Sequence, residues 1–125
     1  MGLFTRNSSA KLNWEQVKEV KQLQSIFQSE EDEYLLFFKH STRCSISSMM
    51  LNRFEAEWKL DLSACQLLFI DLVAHREVSN FLSEWTGVVH QSPQVILVHK
   101  GKVLYHASHS SIDADEAQRI VKENK

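Results

Sequence analysis

The chain has 125 residues, of which 43 % are hydrophobic and 24 % charged, so it is long enough for one domain with a single core. Its formal net charge of -2 excludes the strongly basic surface of proteins that bind nucleic acid or an anionic membrane. No apolar run approaches the ~20 residues that span a bilayer, and the start of the chain lacks the apolar stretch of a secretory signal, so we expect a cytoplasmic protein.

The beginning of the chain predicts a helix followed by a buried strand. We expect residues 1–12 to be a flexible segment and residues 13–125 to form the domain, with Asn13 or Ser9 capping the first helix. An acidic run at 29–33 is interpreted as a solvated connector. The continuous apolar run at 34–39 is typical of a strand buried on both faces of a sheet. The apolar positions of the first helix recur at helical spacing and are Trp14, Val17, Val20, Leu23, Ile26 and Phe27.

The middle of the chain repeats this alternation. A second helical pattern follows Cys44, and residues 66–71 repeat the buried-strand pattern. A third helix is predicted to end near Gly87, since glycine favours the left-handed conformation that closes many helices. Trp58 and Trp85 fall on apolar helix faces, so both are predicted to lie in the core. For the pair at 49–50, one methionine is expected to face the sheet and the other to be exposed.

The end of the chain predicts a hairpin and a closing helix. A strand at 95–99 and a strand at 103–106 are joined by a short turn around Gly101. Asp113 or Asp115 is expected to start the last helix. The order is then αβαβαββα, which predicts an α/β domain with a central mixed four-stranded sheet flanked by helices on both faces.

Cys44 is the residue that this topology selects as a reactive thiol. Functional groups in open α/β sheets gather beyond the carboxyl ends of the strands, and Cys44 lies directly between the first strand and the second helix. Free N–H groups and partial positive charge at a helix N-terminus favour the thiolate over the thiol. His40 and Arg43 would add positive charge if they turn inward. Ser47, one helical turn on in a Cys-x-x-Ser motif, is expected to donate its hydroxyl toward the sulfur.

Two alternatives for the thiols have to be weighed. Cys44 as an inert core residue is disfavoured by its polar flanks at 41–43 and at Ser45. Cys65 as a resolving partner is disfavoured by geometry, because it starts the second strand whereas Cys44 follows the end of the parallel first strand. About six residues at ~3.3 Å each separate the two sulfurs by roughly 20 Å. A disulfide requires Cα atoms within ~7 Å, so the predicted chemistry is that of a single thiol.

Three segments of the chain carry a family resemblance. They are FKHSTRCSIS at 38–47, GVVHQSPQ at 87–94 and HASH at 106–109. Together they resemble the thioredoxin superfamily and, more closely, the YtxJ-type monothiol bacilliredoxins, whose active segment reads K-H-S-T-x-C-P-I-S and whose proline loop contains S-P-Q. The resemblance runs from Trp14 to the last helix. It implies a thioredoxin fold, a cis Ser92–Pro93 bond and Cys44 as the nucleophile.

The resemblance also implies an activity, which is removal of bacillithiol from mixed disulfides on S-thiolated proteins. Bacillithiol would be a thiol co-substrate rather than a bound cofactor, and a second bacillithiol or a separate recycling reductase would regenerate Cys44 from its disulfide with bacillithiol. The sequence departs from the family pattern at Ser45, where the family has proline, and at Ser110, where it has an aromatic residue. The catalytic residues expected are Cys44 and Ser47. The expected substrate-binding residues are His40, Ser41, Thr42, Arg43, Ser45, Ser92, Pro93 and His109.

Other functions remain open from the sequence. The domain is alternatively a non-catalytic thioredoxin-like adaptor, or a redox-sensing stress protein that is modified at Cys44 without turning over substrate. The six histidines share no tight ligand spacing, so no metal site is expected. We expect neither nucleic acid nor a membrane as a partner.

Overall fold

The computed structural model describes residues 12–29, 31–61 and 63–124, and it arranges them as five strands, four α-helices and one short 3₁₀ helix. The segment predicted to be flexible therefore lies, apart from residue 12, outside the described residues. The helices are α1 (Val20–Gln28), α2 (Ser45–Glu57), α3 (Arg76–Thr86) and α4 (Ala114–Glu123), with the 3₁₀ helix at His109–Ser111. The strands are β1 (Glu15–Gln16), β2 (Tyr34–His40), β3 (Gln66–Asp71), β4 (Gln94–His99) and β5 (Lys102–Ser108).

The strands form one mixed sheet in the order β1-β3-β2-β4-β5. β2 pairs parallel with β3 and antiparallel with β4, and β4 and β5 form the predicted hairpin. Every residue of β2 is buried, and its side chains alternate between two apolar cores. One core lies against α2 and α4, and the other lies against α1 and α3. The predicted α/β class with helices on both faces is confirmed.

The start of the domain corrects two predictions. The sheet has five strands instead of four, because Glu15 and Gln16 pair with the edge of β3. The first helix begins at Val20, not near residue 13, and Val17 donates its backbone N–H to Phe69 O at 2.9 Å. A two-residue strand is too short to show alternation, so Trp14 and Val17 matched helical spacing by chance. A capping box between Glu19 and Gln22 starts the helix.

The element ends follow from local residues as predicted. Gly87 ends α3 in the left-handed conformation with φ of 76°. Asp113 caps α4 by accepting hydrogen bonds from the backbone N–H groups of Asp115 and Glu116. The hairpin turn at Lys100 and Gly101 has positive φ at both residues, the conformation that matches the twist of paired strands.

The packing predictions have mixed outcomes. Trp58 is buried, and Met50 is buried while Met49 is exposed, as expected. The core prediction for Trp85 is wrong, because this side chain is 39 % exposed and stacks on Phe27 with ring centroids 3.5 Å apart. Trp85 lies in the last turn of α3, where the ring reaches α1 at the surface. Within the described ranges, none of the helices is both long enough and apolar enough to traverse a bilayer.

Candidate active site

Cys44 is the N-cap residue of α2, at the carboxyl end of β2. Its backbone is extended, its N–H donates to Ser41 O at 3.2 Å, and its carbonyl accepts from Ser48 N at 3.3 Å. The side chain is half-buried and makes no capping hydrogen bond. Cys44 therefore lies at the positive end of the α2 dipole and is partly exposed to solvent. This is the placement that the sequence predicts.

The proline loop, residues 88–92, reaches the same end of the sheet. Ser92–Pro93 is a cis peptide bond, as the resemblance implied. Gln94, directly after it, pairs with Lys39 in the β2–β4 ladder, so Pro93 lies at the end of β2 that leads into Cys44. Pro93 O accepts a hydrogen bond from His109 N at 2.9 Å. The structure thus brings the Cys44 turn, the cis-proline and the start of the 3₁₀ helix to one edge.

Ser47 differs from its prediction. Its side chain is fully buried, and its Oγ accepts from Ser41 N at 3.1 Å and lies 2.7 Å from His40 Nδ1. Ser47 Oγ and His40 Nδ1 share a hydrogen bond, and no hydrogen bond among the described residues joins Ser47 to the Cys44 sulfur. Ser47 therefore holds the chain on both sides of the Cys44 turn in place.

His40 is also corrected by the structure. Burial lowers its pKa below the ordinary 6.5, and the smaller effect of Asp71 acts in the opposite direction. The imidazole is thus neutral near pH 7 and does not supply the positive charge expected beside Cys44. His40 is only 8 % exposed, and its ring lies near Phe38 and Phe69, so its role in substrate binding stays a prediction.

The remaining predicted site residues form the rim. Thr42, Arg43 and Ser45 are exposed around Cys44, and Ser41 is half-buried beneath them. His109 is exposed beside Pro93 and has a positive φ of 54°. Their roles as substrate contacts stay predictions.

Ser92 has an unusual environment within this rim. Its Oγ is buried and has no hydrogen-bond partner among the described residues. A buried hydroxyl without a hydrogen-bond partner is costly to the fold. The role of Ser92 in substrate binding stays a prediction.

Cys65 lies at the opposite end of the sheet. It is 1 % exposed and directly precedes Gln66, which pairs with Leu35 near the start of β2. Cys44 follows His40 at the other end of the ladder, so the sulfurs are separated by about six residues at ~3.3 Å each. Both cysteines are free thiols. In the part of the chain that the structure describes, no three His, Cys, Asp or Glu side chains cluster as metal ligands.

Two buried polar side chains next to the site were missed from the sequence. Lys39 is fully buried in β2, with Nζ 3.1 Å from His90 Nδ1, and burial lowers its pKa to about 8. Burial also lowers the pKa of His90, and the positive charges of Lys39 and Arg76 lower it further. The sequence signal for Lys39 was its place inside a run predicted to be buried on both faces.

Gln94 is the second buried polar side chain. Its side-chain amide forms hydrogen bonds with the backbone of the loop before the cis-proline.

Comparison with known proteins gives a consistent result. A family model described as monothiol bacilliredoxin BrxC matches residues 15–117, which is most of the chain. A solved putative oxidoreductase with a thioredoxin fold is 22 % identical with a TM-score of 0.66, covering 84 % of this chain and 90 % of that one. Thioredoxin NaTrxh from Nicotiana alata is 17 % identical with a TM-score of 0.70, covering 96 % and 99 %. Thioredoxin from Malassezia sympodialis is 10 % identical with a TM-score of 0.67, covering 94 % and 96 %. The predicted thioredoxin fold is confirmed.

Proposed function

The chain belongs to the monothiol bacilliredoxin BrxC family, and we propose that it is a thiol–disulfide oxidoreductase that removes bacillithiol from mixed disulfides on proteins. Family and fold together indicate a thiol redox function. The observation that carries the finer proposal is the position of Cys44, half-exposed at the positive end of α2, while Cys65 is buried at the far end of β3. One accessible thiol suits exchange with a mixed disulfide.

The proposed reaction has two exchange steps. The Cys44 thiolate attacks the bacillithiol sulfur of the mixed disulfide, a Cys44–bacillithiol disulfide forms, and the protein thiolate leaves and takes up a proton. A second bacillithiol thiolate then attacks the bacillithiol sulfur on Cys44. The products are the Cys44 thiolate and bacillithiol disulfide, which a separate reductase returns to the thiol. The net reaction converts the mixed disulfide and one free bacillithiol into a protein thiol and bacillithiol disulfide, and no bound cofactor takes part.

The residues around Cys44 have distinct parts in this proposal. Ser41 and Ser47 fix the turn that presents the sulfur. Ser92 has a buried hydroxyl without a partner, which suits a donor to the sulfur or to the incoming disulfide. Arg43 and His109 are exposed and suit contact with carboxylates of the small thiol. We expect the protein to act in the cytoplasm, where S-thiolated proteins are its substrates.

The proposal is tested by mass spectrometry and by turnover. The purified protein is mixed with bacillithiol disulfide and, separately, with glutathione disulfide, and the adduct on Cys44 is identified. We expect the bacillithiol adduct. An adduct with glutathione alone would show that glutathione, not bacillithiol, is the small thiol of the same exchange reaction. Turnover of a bacillithiolated protein, with bacillithiol and its reductase supplied, then separates an enzyme from the two alternatives.

The alternatives predict different results in the same assays. A non-catalytic adaptor would be alkylated at Cys44 at pH 6 no faster than free cysteine is, and it would show no turnover. A redox-sensing protein would form the adduct without releasing reduced protein over many cycles. Either result would overturn the proposed enzymatic role.

A further inference from the structure

The side chain of Lys39 occupies the face of β2 that packs against α1 and α3, next to the proline loop. It is fully buried, and its Nζ lies 3.0 Å from Ser83 Oγ and 3.1 Å from His90 Nδ1. Ser79 Oγ also lies 3.2 Å from the same His90 nitrogen. Because an ammonium group only donates, His90 Nδ1 is the acceptor and the ring proton sits on Nε2.

Burial of the Lys39 ammonium group lowers the stability of the fold. Among the described residues it forms no salt bridge with a carboxylate, and its acceptors are a hydroxyl and a neutral imidazole. A buried charge without an opposite charge costs stability, and an apolar side chain of similar length would fill the same space without that cost. Stability therefore does not explain why a lysine stands at this position.

One of the two Lys39 contacts reaches the proline loop at His90, and the other reaches Ser83 of α3. Gln94 bonds the loop backbone on both sides of His90, donating to Val89 O at 3.0 Å and accepting from Gln91 N at 3.4 Å. The His90 ring points inward between these two clamps and is held by Lys39. Gln94 of β4 thus holds the backbone of the proline loop, and Lys39 of β2 holds the His90 ring of the same loop, directly before the cis-proline.

We propose that Lys39 is a positioning residue for substrate binding, which acts through His90 to fix the proline loop beside Cys44. This inference rests on the proposed function, since it assigns the loop to the binding of the mixed disulfide. Lys39 itself is buried and does not touch substrate. Without the ammonium donor the loop samples more conformations, so substrate binds less tightly while the chemistry at Cys44 is little changed.

The test compares Lys39→Met with a matched control, Lys102→Met, which makes the same change at an exposed lysine of β5 at the far end of the sheet. Amide hydrogen exchange is measured at residues 88–92, together with kcat, KM and Tm. The substrate is the mixed disulfide of bacillithiol with a cysteine-containing peptide. For Lys39→Met we expect faster exchange in the loop, a KM raised about tenfold, a kcat within about twofold and no loss of Tm. Lys102→Met should match the wild type.

A second pair of variants tests the same link from the other side. Asparagine at position 90 keeps an acceptor near the place of Nδ1, whereas leucine removes it. His90→Asn should therefore keep a KM close to the wild type, and His90→Leu should raise KM as Lys39→Met does. The proposal would be overturned if both Lys39→Met and His90→Leu kept the wild-type hydrogen exchange in the loop. It would also be overturned if both variants kept the wild-type KM. If the wild type does not turn over the mixed disulfide, the proposed function fails, and the exchange measurement still decides whether Lys39 orders the loop.

Discussion

The two ends of the central β2–β3 pair each hold one cysteine, in opposite surroundings. At the carboxyl end, Cys44 caps a helix and is half-exposed, and buried polar side chains lie beneath it. At the amino end, Cys65 is buried beside Tyr34, whose ring stacks on His99 and whose hydroxyl donates to Asn124 O at 2.8 Å. The comparison teaches that the end of the sheet at which a thiol lies determines how exposed it is in this fold.

The largest expected effect separates the two cysteines directly. Cys44→Ala should reduce turnover of a bacillithiolated protein to the rate of the uncatalysed exchange, because no other thiol at that end can attack. Cys65→Ala should keep most of the turnover, since its sulfur lies about a strand length away. Steady-state assays with both purified variants check this. The reverse ranking would exchange the roles of the two ends.

The next effect concerns the cost of the buried ammonium at the carboxyl end. Burial lowers the pKa of Lys39 from 10.5 to about 8, so between these values the unfolded chain holds a proton that the folded chain has released. The free energy of unfolding should therefore rise with pH across this window relative to Lys39→Met, by on the order of 3 kcal/mol at most. Below the folded pKa the cost is fully present. Urea unfolding of both proteins from about pH 7.5 to about pH 10 measures this difference. Parallel curves would show that Lys39 costs the fold nothing.

A smaller effect is expected for the hydroxyl that fixes the Cys44 turn. Ser47→Ala leaves His40 Nδ1 and Ser41 N without their partner in a buried place, and should lower the free energy of unfolding by about 1–3 kcal/mol. Ser63→Ala is the matched control at the amino end, where the hydroxyl donates to Asp61 on the surface. The control should change stability by less than about 0.5 kcal/mol. Equal costs would contradict the contrast between the two ends.

The smallest effect tests the amino end alone. Tyr34→Phe removes the hydrogen bond to Asn124 O and keeps the ring stacked on His99, so it should cost about 1 kcal/mol of stability. Turnover should be unchanged, because this end has no part in the proposed reaction. Thermal unfolding and the steady-state assay on one preparation check both statements, and a raised KM would extend the site to this end.

Much of the fold was predictable because single segments carry it. The apolar run at 34–39 predicts a strand buried on both faces, and Gly87 and Asp113 mark helix ends through their own backbone preferences. β1 was not predictable, because its two residues pair with the edge of β3 and show no period of their own.

The site was predictable only in part, for a different physical reason. The position of Cys44 follows from the order of one strand and one helix, and the cis Ser92–Pro93 bond came from the family resemblance. The contact of Lys39 with His90 joins positions 51 residues apart and depends on how α3 packs on the sheet. Likewise, the spacing of Ser47 from Cys44 suggested a bond to sulfur, whereas the hydrogen-bond partners of Ser47 in the folded chain are His40 and Ser41.

The strand length between the two sulfurs has a practical consequence for the oxidised protein. A protein that closes an internal disulfide keeps almost the same mass. Its mass therefore does not show which thiol it exchanged with before. Because Cys44 cannot reach Cys65, its oxidation to a disulfide always adds the mass of another molecule. Mass spectrometry of the acid-quenched protein would therefore identify any thiol that has formed a disulfide with Cys44.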